Sequence, residues 1–449
     1  MYKKKKRVSA LTLGCKLNYA ETSAILDNFV RAGWGIADND TNPDLVIIHT
    51  CAVTAQAEKK SRQQIRKMVQ KYPQSRIAVT GCYAQLSPDD IEKIDGVDVI
   101  LGTKEKFAAQ KYITAGNEKI YREISPPETI TEASPAHSFV SGKEWGRTRA
   151  FLKIQDGCDY GCSYCTIPLA RGKSCSVPLE KVIEGAGRLA EAGYREIVLT
   201  GINIADYRNG SDGLVELLEE LESVDVGRIR ISSVEPDVLS DRLIDRVATS
   251  SKIMPHFHLP LQSGSDAILS AMHRRYTASG YSERLHKAVE TIQDCAVGAD
   301  VMIGYPGETE DDFRSTCELL ESLPVAYLHV FTCSIRQGTS LAAEVTAGIR
   351  QRTLSETARA RSGMLLELAG KKQREFTRQY AGRELDVLFE DQQVVEGGLT
   401  KISGYSRNYL RVQVITKDNL TARDLVGREE KVYIESMSDD LILGGRFVT

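Results

Sequence analysis

From residue 7 to about 120 the chain switches repeatedly between short β-branched runs and stretches whose apolar positions recur at helical spacing. That alternation is the pattern of a parallel α/β sheet. Strands are predicted at 8–13, 45–49, 77–80 and 97–101, and helices over 21–32 and 57–71. A stretch rich in Pro, Ser, Thr and Glu, roughly 125–142, reads as a linker. From residue 151 the alternation resumes, with strands predicted at 151–155, 196–200, 228–233, 256–261, 299–303 and 327–331. Helices fit between them, for example over 180–192, 281–295 and 311–321. Six such units build a barrel or three-quarter barrel of parallel strands, whose chemistry belongs at the C-terminal strand ends. A long charged helix over about 352–380 closes this region. Beyond it the helical period disappears, and 385–389, 409–414, 431–436 and 440–447 read as short strands split by Gly and Asn turns. A small all-β barrel fits them.

Composition narrows the class without naming it. At 449 residues the chain has room for two to four domains of about 150 residues each. With 42% hydrophobic and 27% charged residues it has the profile of an ordinary globular protein. No apolar run approaches the roughly 20 residues of a membrane span. The basic start, Lys3 to Lys6 and Arg7, is followed by no apolar stretch and cleavage site, so a secretory signal is not expected and the location expected is cytoplasmic. Those lysines read equally as a solvated tail or as an RNA-touching one. A net charge of −3 gives no global pull toward nucleic acid, so any RNA contact must come from local patches.

Ten cysteines in a reducing compartment point to metal ligation or catalysis rather than disulfides. Cys158, Cys162 and Cys165 stand in GCDYGCSYC, a C-x3-C-x2-C loop right after the first predicted barrel strand. Three thiolates in a tight loop suit a [4Fe–4S] cluster, with one iron left open. Gly157 and Gly161 allow the backbone to bend around it. A closed zinc site would need a fourth protein ligand, and none stands at suitable spacing. Cys15 follows ALTLG, Cys51 follows VIIHT and Cys82 follows IAVTG, so each lies just past a predicted parallel strand. Their gaps of about thirty residues match one βαβ unit each. Neighbouring parallel strands carry such residues to one sheet edge, where ligands bind in open α/β folds. A single buried cysteine there would be ordinary packing; three in one structural position suggest a second cluster. Cys295 and Cys317 fall on predicted helices as core or inert thiols, and Cys175 and Cys333 lie near the active face.

The C-x3-C-x2-C loop, with Tyr164 before its last cysteine, resembles the radical S-adenosylmethionine (SAM) superfamily. The spread cysteines ahead of it and the small barrel behind it resemble the methylthiotransferases with their C-terminal TRAM domain. LGCKLNYAET, TCAVTAQAEKKSRQQIR and IQDGCDYGCSYCTIPLARG resemble the subfamily acting on threonylcarbamoyladenosine in tRNA. The resemblance covers nearly the whole chain. It implies a flavodoxin-like open parallel sheet over 1–125 with the auxiliary cluster, a linker over 126–149, a radical SAM partial TIM barrel over 150–378 and a TRAM β-barrel over 379–449. Two [4Fe–4S] clusters are implied, one on Cys158, Cys162 and Cys165 that binds SAM through its open iron, one on Cys15, Cys51 and Cys82 that carries sulfur. The reaction implied is transfer of a methylthio group to C2 of the adenine at position 37, beside the anticodon, through a 5′-deoxyadenosyl radical. An unactivated aromatic C–H has no acidic proton, so acid–base side chains help little and the cofactor supplies the reactivity.

The same resemblance places SAM contacts at Tyr164, Thr200, Gly201, Ser233, Glu235 and Gln262, with 303–309 supporting the adenine. Each of these is weak alone, since Gly and Ser at strand ends are often just turns. The implied partners are the tRNA anticodon stem-loop and an electron donor such as a flavodoxin or ferredoxin, with no membrane and a monomer by default. For RNA, the predicted helix 57–71 carries Lys59, Lys60, Arg62, Arg66, Lys67 and Lys71 against Glu58. Such a face neutralises phosphates or is simply solvated. In the C-terminal barrel Lys401, Arg407 and Arg411 would have to share one face, with Tyr405 and Tyr409 stacking on bases or packing. Cys175 stands where relatives usually carry a basic residue, and Cys333 where an aromatic one is commoner. Three alternatives stay open: the same chemistry on isopentenyladenosine tRNA, on a ribosomal-protein aspartate, or a non-catalytic metal-containing RNA-binding protein.

Overall fold

The computed structural model describes residues 5–37, 42–113, 120–138, 148–395, 399–416 and 424–448. Lys3, Lys4 and residues 139–147 of the expected linker lie outside the described residues. The N-terminal sheet has six strands, all parallel, in the order Gly35–Ile36, Arg7–Thr12, Leu45–Thr50, Arg76–Gly81, Val99–Leu101, Tyr121–Glu123. The four central strands are those the β-branched runs predict. The two edge strands have two and three residues, too short for any periodic signal. Leu45–Thr50 is buried throughout because helices cover both faces, which explains its unbroken apolar run. Ile25, Leu26 and Phe29 of helix Lys16–Arg31 pack on one face, and Ile65 of helix Ala55–Lys71 on the other. Thr54 caps the latter helix, its side chain accepting from the Ala57 N–H, so it starts two residues earlier than the apolar pattern alone predicts.

The central region follows chain order, Arg149–Lys153, Glu196–Thr200, Arg228–Ile231, His256–His258, Ala296–Ile303 and Tyr327–Thr332, paired in parallel. Single bridges, Ile229 with Ile253 and Ser233 with His258, join its two halves. His256–His258 is shorter than the pattern predicts, since Pro260 cannot donate to a ladder. Among the described residues nothing pairs the first strand with the last, so the barrel is open on one side. The N-terminal domain spans that gap. Tyr19 of its first helix lies 6.4 Å from Phe151 on the first strand. At the other side the Ala55 N–H donates to Ser334 Oγ at 3.1 Å and Glu58 pairs with Arg336, both just past the last strand. The described part of the expected linker lies against the first strand, with Ala133 and Ala136 buried and His137 bridged to Leu152.

A closed five-stranded barrel, Glu384–Val394, Thr400–Ser406, Arg411–Thr416, Leu443–Phe447 and Glu429–Met437 in spatial order, follows helix Ser355–Arg378. Thr400–Ser406 is the strand that the sequence pattern misses. Gly404 breaks the run there, and the fold demands it, because a Cβ would sit 2.2 Å from the Leu388 carbonyl oxygen. This barrel seals the floor of the central one. Arg228 donates to the carbonyl of Asp386 at 3.0 Å and pairs with Glu429 at 2.8 Å, Arg230 donates to the carbonyl of Arg407 at 2.9 Å, and Arg149 pairs with Glu390. The mouth of the barrel, at the C-terminal strand ends, is left facing the N-terminal domain.

Candidate functional site

Strands Arg7–Thr12 and Leu45–Thr50 lie side by side, and the chain leaves them in opposite directions across the sheet. Such a reversal opens a crevice at the C-terminal strand ends. Cys15, Cys51 and Cys82 line it. Gly14 and Gly81 immediately precede two of them at φ +100° and +99°. A Cβ on Gly14 would lie 2.8 Å from Cys51 Cβ, and one on Gly81 2.5 Å from the His49 ring. These two glycines let the strand ends close up, a signal present in the sequence as Gly–Cys twice over and not read there. Cys15 and Cys82 also stand at helix N-termini, of Lys16–Arg31 and Cys82–Leu86, whereas Cys51 lies ahead of the Thr54 cap with its carbonyl accepting from Ser61 Oγ at 3.1 Å. Helix dipoles there favour thiolate charge. Cys51 and Cys82 are buried, while Cys15 is open to solvent at the bottom of a protein-walled cleft that still raises its pKa. Burial pushes Cys51 up to about 11, and the charges of Cys82 and Cys15 add to it.

The second trio follows the short strand Gln155–Asp156 at the barrel mouth. Gly157 has φ +65°, and a Cβ there would fall 1.9 Å from the Lys173 carbonyl oxygen. Gly161 differs: a Cβ would meet nothing within 4 Å, so crowding does not call for glycine there. Every thiol takes an N–H donor. Tyr160 N–H lies 3.4 Å from Cys158 Sγ, Ile167 N–H 3.4 Å from Cys165 Sγ, and the Arg274 guanidinium 3.2 Å from Cys162 Sγ. Burial holds Cys158 up at about 12 and Cys165 at about 11, so as free thiols both stay protonated. A metal must displace those protons, and the donors then stabilise the sulfur charge. Among the described residues neither trio has all three sulfurs within 4.8 Å of one another. One tetrahedral zinc ion would hold thiolates about 3.8 Å apart. A cube of four irons spreads them wider. Within each trio the thiols still lie close enough to act on one another, Cys82 and Cys15 on Cys51, and Cys165 and Cys162 on Cys158, and three soft donors so grouped suit a cluster with three thiolate ligands at each place.

A buried charge network joins the two trios across the domain seam. Glu21, wholly buried, accepts from Lys153 at 2.9 Å and Arg171 at 3.1 Å and forms an ion pair with Lys106 at 2.7 Å. Asp156 accepts from Arg171 at 2.9 Å and from Lys153. Arg171 also donates to Asn18 Oδ1 at 2.8 Å, the oxygen that Cys15 Sγ approaches at 3.7 Å. Burial alone would raise the Glu21 pKa, but Arg171, Lys106 and Lys153 together drive it well below the carboxylate range. His49 beside it is pushed down to about 3 by burial and then by Lys106, so it stays neutral. Three cations thus face two carboxylates, and the surplus positive charge lies beside the thiols of Cys15, Cys51 and Cys82. Arg171 ends the short helix Ile167–Arg171 that starts two residues past Cys165. No local pattern reveals this network, because its members lie up to 150 residues apart.

The residues expected to hold SAM are distributed unevenly. Thr200 is buried and its carbonyl accepts from the Ile154 N–H at 3.0 Å. Gly201 is needed against Gln155, whose carbonyl oxygen would lie 2.9 Å from a Cβ. Gln155 pins the mouth together: its Oε1 accepts from the N–H groups of Ile202 and Asn203, and its Nε2 donates to the Gly157 carbonyl at 2.8 Å. Ser233 Oγ is engaged with His258 Nδ1 at 2.9 Å, and Glu235 is paired with Arg274. Gln262 has φ +65° and is bonded through its backbone on both sides to the Ala296–Ile303 strand. Tyr164 packs beside Tyr305, Met272 and Leu341 together with Cys333. In 303–309, Glu308 accepts from the Gly304 N–H at 2.9 Å and pairs with Arg361 at 2.6 Å, which fixes that turn. Arg274 was not foreseen, although it touches both Glu235 and the Cys162 thiol.

Of the cations expected to meet RNA, Lys59, Lys60, Arg66 and Lys67 are exposed on helix Ala55–Lys71, and Glu58 is turned to Arg336. Arg62 lies instead over the Tyr83 ring and donates to its hydroxyl at 3.0 Å. In the C-terminal barrel Lys401 and Arg411 share the outward face of adjacent strands. Arg407 does not join them: it pairs with Glu429 at 2.8 Å and donates to the Ser251 carbonyl, on the floor of the central barrel. Tyr405 and Tyr409 stack on each other at 5.0 Å beneath Arg149, so domain packing has claimed them. Cys295 is not helical, because helix Ala278–Thr291 ends at the extended Ile292 and leaves it buried before the next strand. Cys317 lies half-buried on helix Glu310–Ser322, and Cys175 pairs opposite Asp156 in a two-residue ribbon.

Residues 152–320 match the model of the radical SAM superfamily, and residues 7–102 that of an uncharacterized protein family, UPF0004. The chain is 38% identical over 429 residues to the threonylcarbamoyladenosine tRNA methylthiotransferase MtaB of Bacillus subtilis (strain 168), covering 94% of this chain and 92% of that one. Its identity to the protein of the same name from Thermotoga maritima is 32% over 444 residues, 98% and 97% of the two chains. A tRNA-2-methylthio-N(6)-dimethylallyladenosine synthase from Methylacidiphilum infernorum is 32% identical over 84% of this chain and 83% of its own. Among solved structures, the radical SAM methyltransferase TsrM of Kitasatospora setae, with cobalamin and a [4Fe-4S] cluster bound, superposes with a TM-score of 0.56 at 15% identity. It covers 77% of this chain and 79% of its own, a likeness of fold.

Proposed function

Because the chain belongs to the threonylcarbamoyladenosine tRNA methylthiotransferase family of radical SAM enzymes, we propose a division of labour between its two cysteine trios. The enzyme transfers a methylthio group to C2 of N6-threonylcarbamoyladenosine at position 37 of tRNA and uses SAM with two [4Fe–4S] clusters. Cys158, Cys162 and Cys165 hold the SAM cluster; Cys15, Cys51 and Cys82 hold the auxiliary one. When bound, the first cluster and one SAM would supply a 5′-deoxyadenosyl radical able to take hydrogen from C2, and the second cluster would supply the sulfur, its methyl group coming from another SAM.

The chain's own residues set the stage for this chemistry. Arg274, bonded to Cys162 and to Glu235, fixes the SAM loop against the strand ends. Gln155 ties that loop to Ile202 and Asn203, and so shapes one wall of the mouth. Arg171 and Glu21 lock the two halves at a fixed separation, and their surplus positive charge stabilises an anionic cluster on the N-terminal side. Tyr19, Val53, Leu169 and Phe331 are large apolar side chains left exposed near the two trios, suited to cover an adenine. Lys59, Lys60, Arg66 and Lys67, with Lys401 and Arg411, offer cations to the phosphates of the anticodon stem-loop. An electron donor such as a flavodoxin or ferredoxin serves the SAM cluster, and the enzyme works as a cytoplasmic monomer. No helix among the described residues is long and apolar enough to cross a membrane.

The observation that supports this reading is that two three-thiol sites, neither with a fourth cysteine ligand grouped with it among the described residues, are linked through the Glu21, Asp156 and Arg171 network. Mass spectrometry of nucleosides from tRNA incubated anaerobically with reconstituted protein, SAM and reductant tests it. The 2-methylthio derivative of threonylcarbamoyladenosine is expected. A methylthiolated isopentenyladenosine, or an unmodified tRNA alongside active SAM cleavage, contradicts it.

A further inference from the structure

Inside the central barrel, three adjacent strands bring together a group that the chemistry above does not use. His258 ends His256–His258, and Asp300 lies opposite His329 in the parallel register of the last two strands. Their ligand atoms all lie within 4.8 Å of one another, the only such group of His, Cys, Asp and Glu among the described residues. His258 Nε2 stands 2.9 Å and His329 Nδ1 3.2 Å from the same oxygen, Asp300 Oδ1. We propose that His258, Asp300 and His329 form a binding site for one divalent first-row metal ion, built without cysteine and additional to both clusters.

The spacing supports this. Metal–ligand bonds of about 2.1 Å across gaps of 2.9 and 3.2 Å subtend about 90–100°, the angles between the carboxylate and two neighbouring octahedral positions. Two imidazoles and a carboxylate are a donor set for iron(II), manganese(II) or zinc(II). The outer shell is also in place. Ser233 Oγ holds His258 Nδ1 at 2.9 Å, which fixes the ring and turns Nε2 toward Asp300. Tyr327, whose hydroxyl is anchored 2.9 Å from His256 Nε2, packs against both His258 and His329. An entry path exists, since the His329 side chain is 54% exposed toward the lumen and Phe331 above it is exposed as well. Of the nearby floor cations, Arg149, Arg228 and Arg230 are paired with Glu390, Glu429 and Glu196, and Lys16 lies beside Tyr409 and Arg230.

The competing account is a hydrogen-bonded triad that takes no ion. Full-length protein carrying both clusters, prepared anaerobically and freed of loose metal, is titrated with Mn2+ alone while free Mn2+ is read from its EPR signal. Thiolates do not favour this hard ion. One Mn2+ per chain is expected, with nitrogen couplings from two imidazoles in pulsed EPR. Ser233→Ala should weaken it about 10-fold, and Asp300→Asn or His329→Ala more than that. No stoichiometric Mn2+ on the unaltered protein, binding without imidazole coupling, or unchanged affinity in Asp300→Asn overturns the proposal. The pulsed measurement on the unaltered protein stands even if a variant fails to fold. Neither SAM nor tRNA is present, so a negative result leaves the methylthiotransferase reading untouched.

Discussion

The two cysteine trios arrive at similar ends by opposite routes. Cys158, Cys162 and Cys165 sit within eight residues of one another, and a single loop with one obligatory glycine, Gly157, fixes their arrangement. Cys15, Cys51 and Cys82 come from three strands, and their meeting depends on sheet order, on the crevice where that order reverses, and on Gly14 and Gly81. A local loop is a property of sequence; a site spread over three strands is a property of the folded sheet. The first should therefore tolerate damage to the N-terminal domain, and the second should not.

The strongest way to break this contrast is to remove one thiol from each site. Cys162→Ala should abolish 5′-deoxyadenosine formation in an anaerobic dithionite assay. Cys51→Ala should keep that cleavage measurable while the methylthio nucleoside disappears from the mass spectrum. The unaltered chain should carry about eight irons, and a variant with all three thiols of either site replaced by Ala about four. Loss of SAM cleavage in Cys51→Ala would erase the distinction.

Next in size is the seam. Glu21→Gln leaves Lys106, Lys153 and Arg171 buried with one carboxylate instead of two, and should cost about 3–5 kcal/mol in a denaturant titration. A loss below about 1 kcal/mol would show that the network is solvated. Gly81→Ala forces φ +99° on a residue with a Cβ and drives that carbon into His49 and Thr50. About 3 kcal/mol and loss of the auxiliary irons are expected, with the SAM-cluster irons retained. Gly161→Ala should change neither quantity.

The pH dependence is smaller. Folded His49 stays neutral to about pH 3, whereas the unfolded chain protonates it near 6.5. Below pH 6.5 the unfolded state binds more protons, so stability should fall by about 2 kcal/mol between pH 6.5 and pH 5. His49→Asn should flatten that slope between pH 7 and 5. Reversal of Lys59 and Arg66 should have the mildest effect: weaker tRNA binding, with a salt slope shallower by roughly 0.9 for each phosphate that the helix no longer neutralises.

The same contrast explains what could be read in the chain. Long β-branched runs announced the sheet and the six barrel strands, and the C-x3-C-x2-C loop announced itself. The spread trio was legible because each cysteine follows a strand, a rule of topology that needs no distances. Side chains that meet across the fold were not legible. Glu21 looked like one more polar residue on a helix, and Arg274 like one of two arginines in a turn. Arg407, Tyr405 and Tyr409 carried the right chemistry for RNA, yet the floor of the central barrel had already engaged them. Gly404 hid a strand for the reason that the strand requires it: no side chain fits where two backbones touch.

The Glu21 cluster has a bearing on engineering and descent. Its members come from 21, 106, 153, 156 and 171, so it ignores every boundary at which the chain could be cut and rejoined. A chimera that grafts the first 125 residues of a relative onto this chain inherits half of a matched set. Unless Lys153, Asp156 and Arg171 travel with Glu21 and Lys106, such a hybrid keeps each motif intact and still fails to assemble.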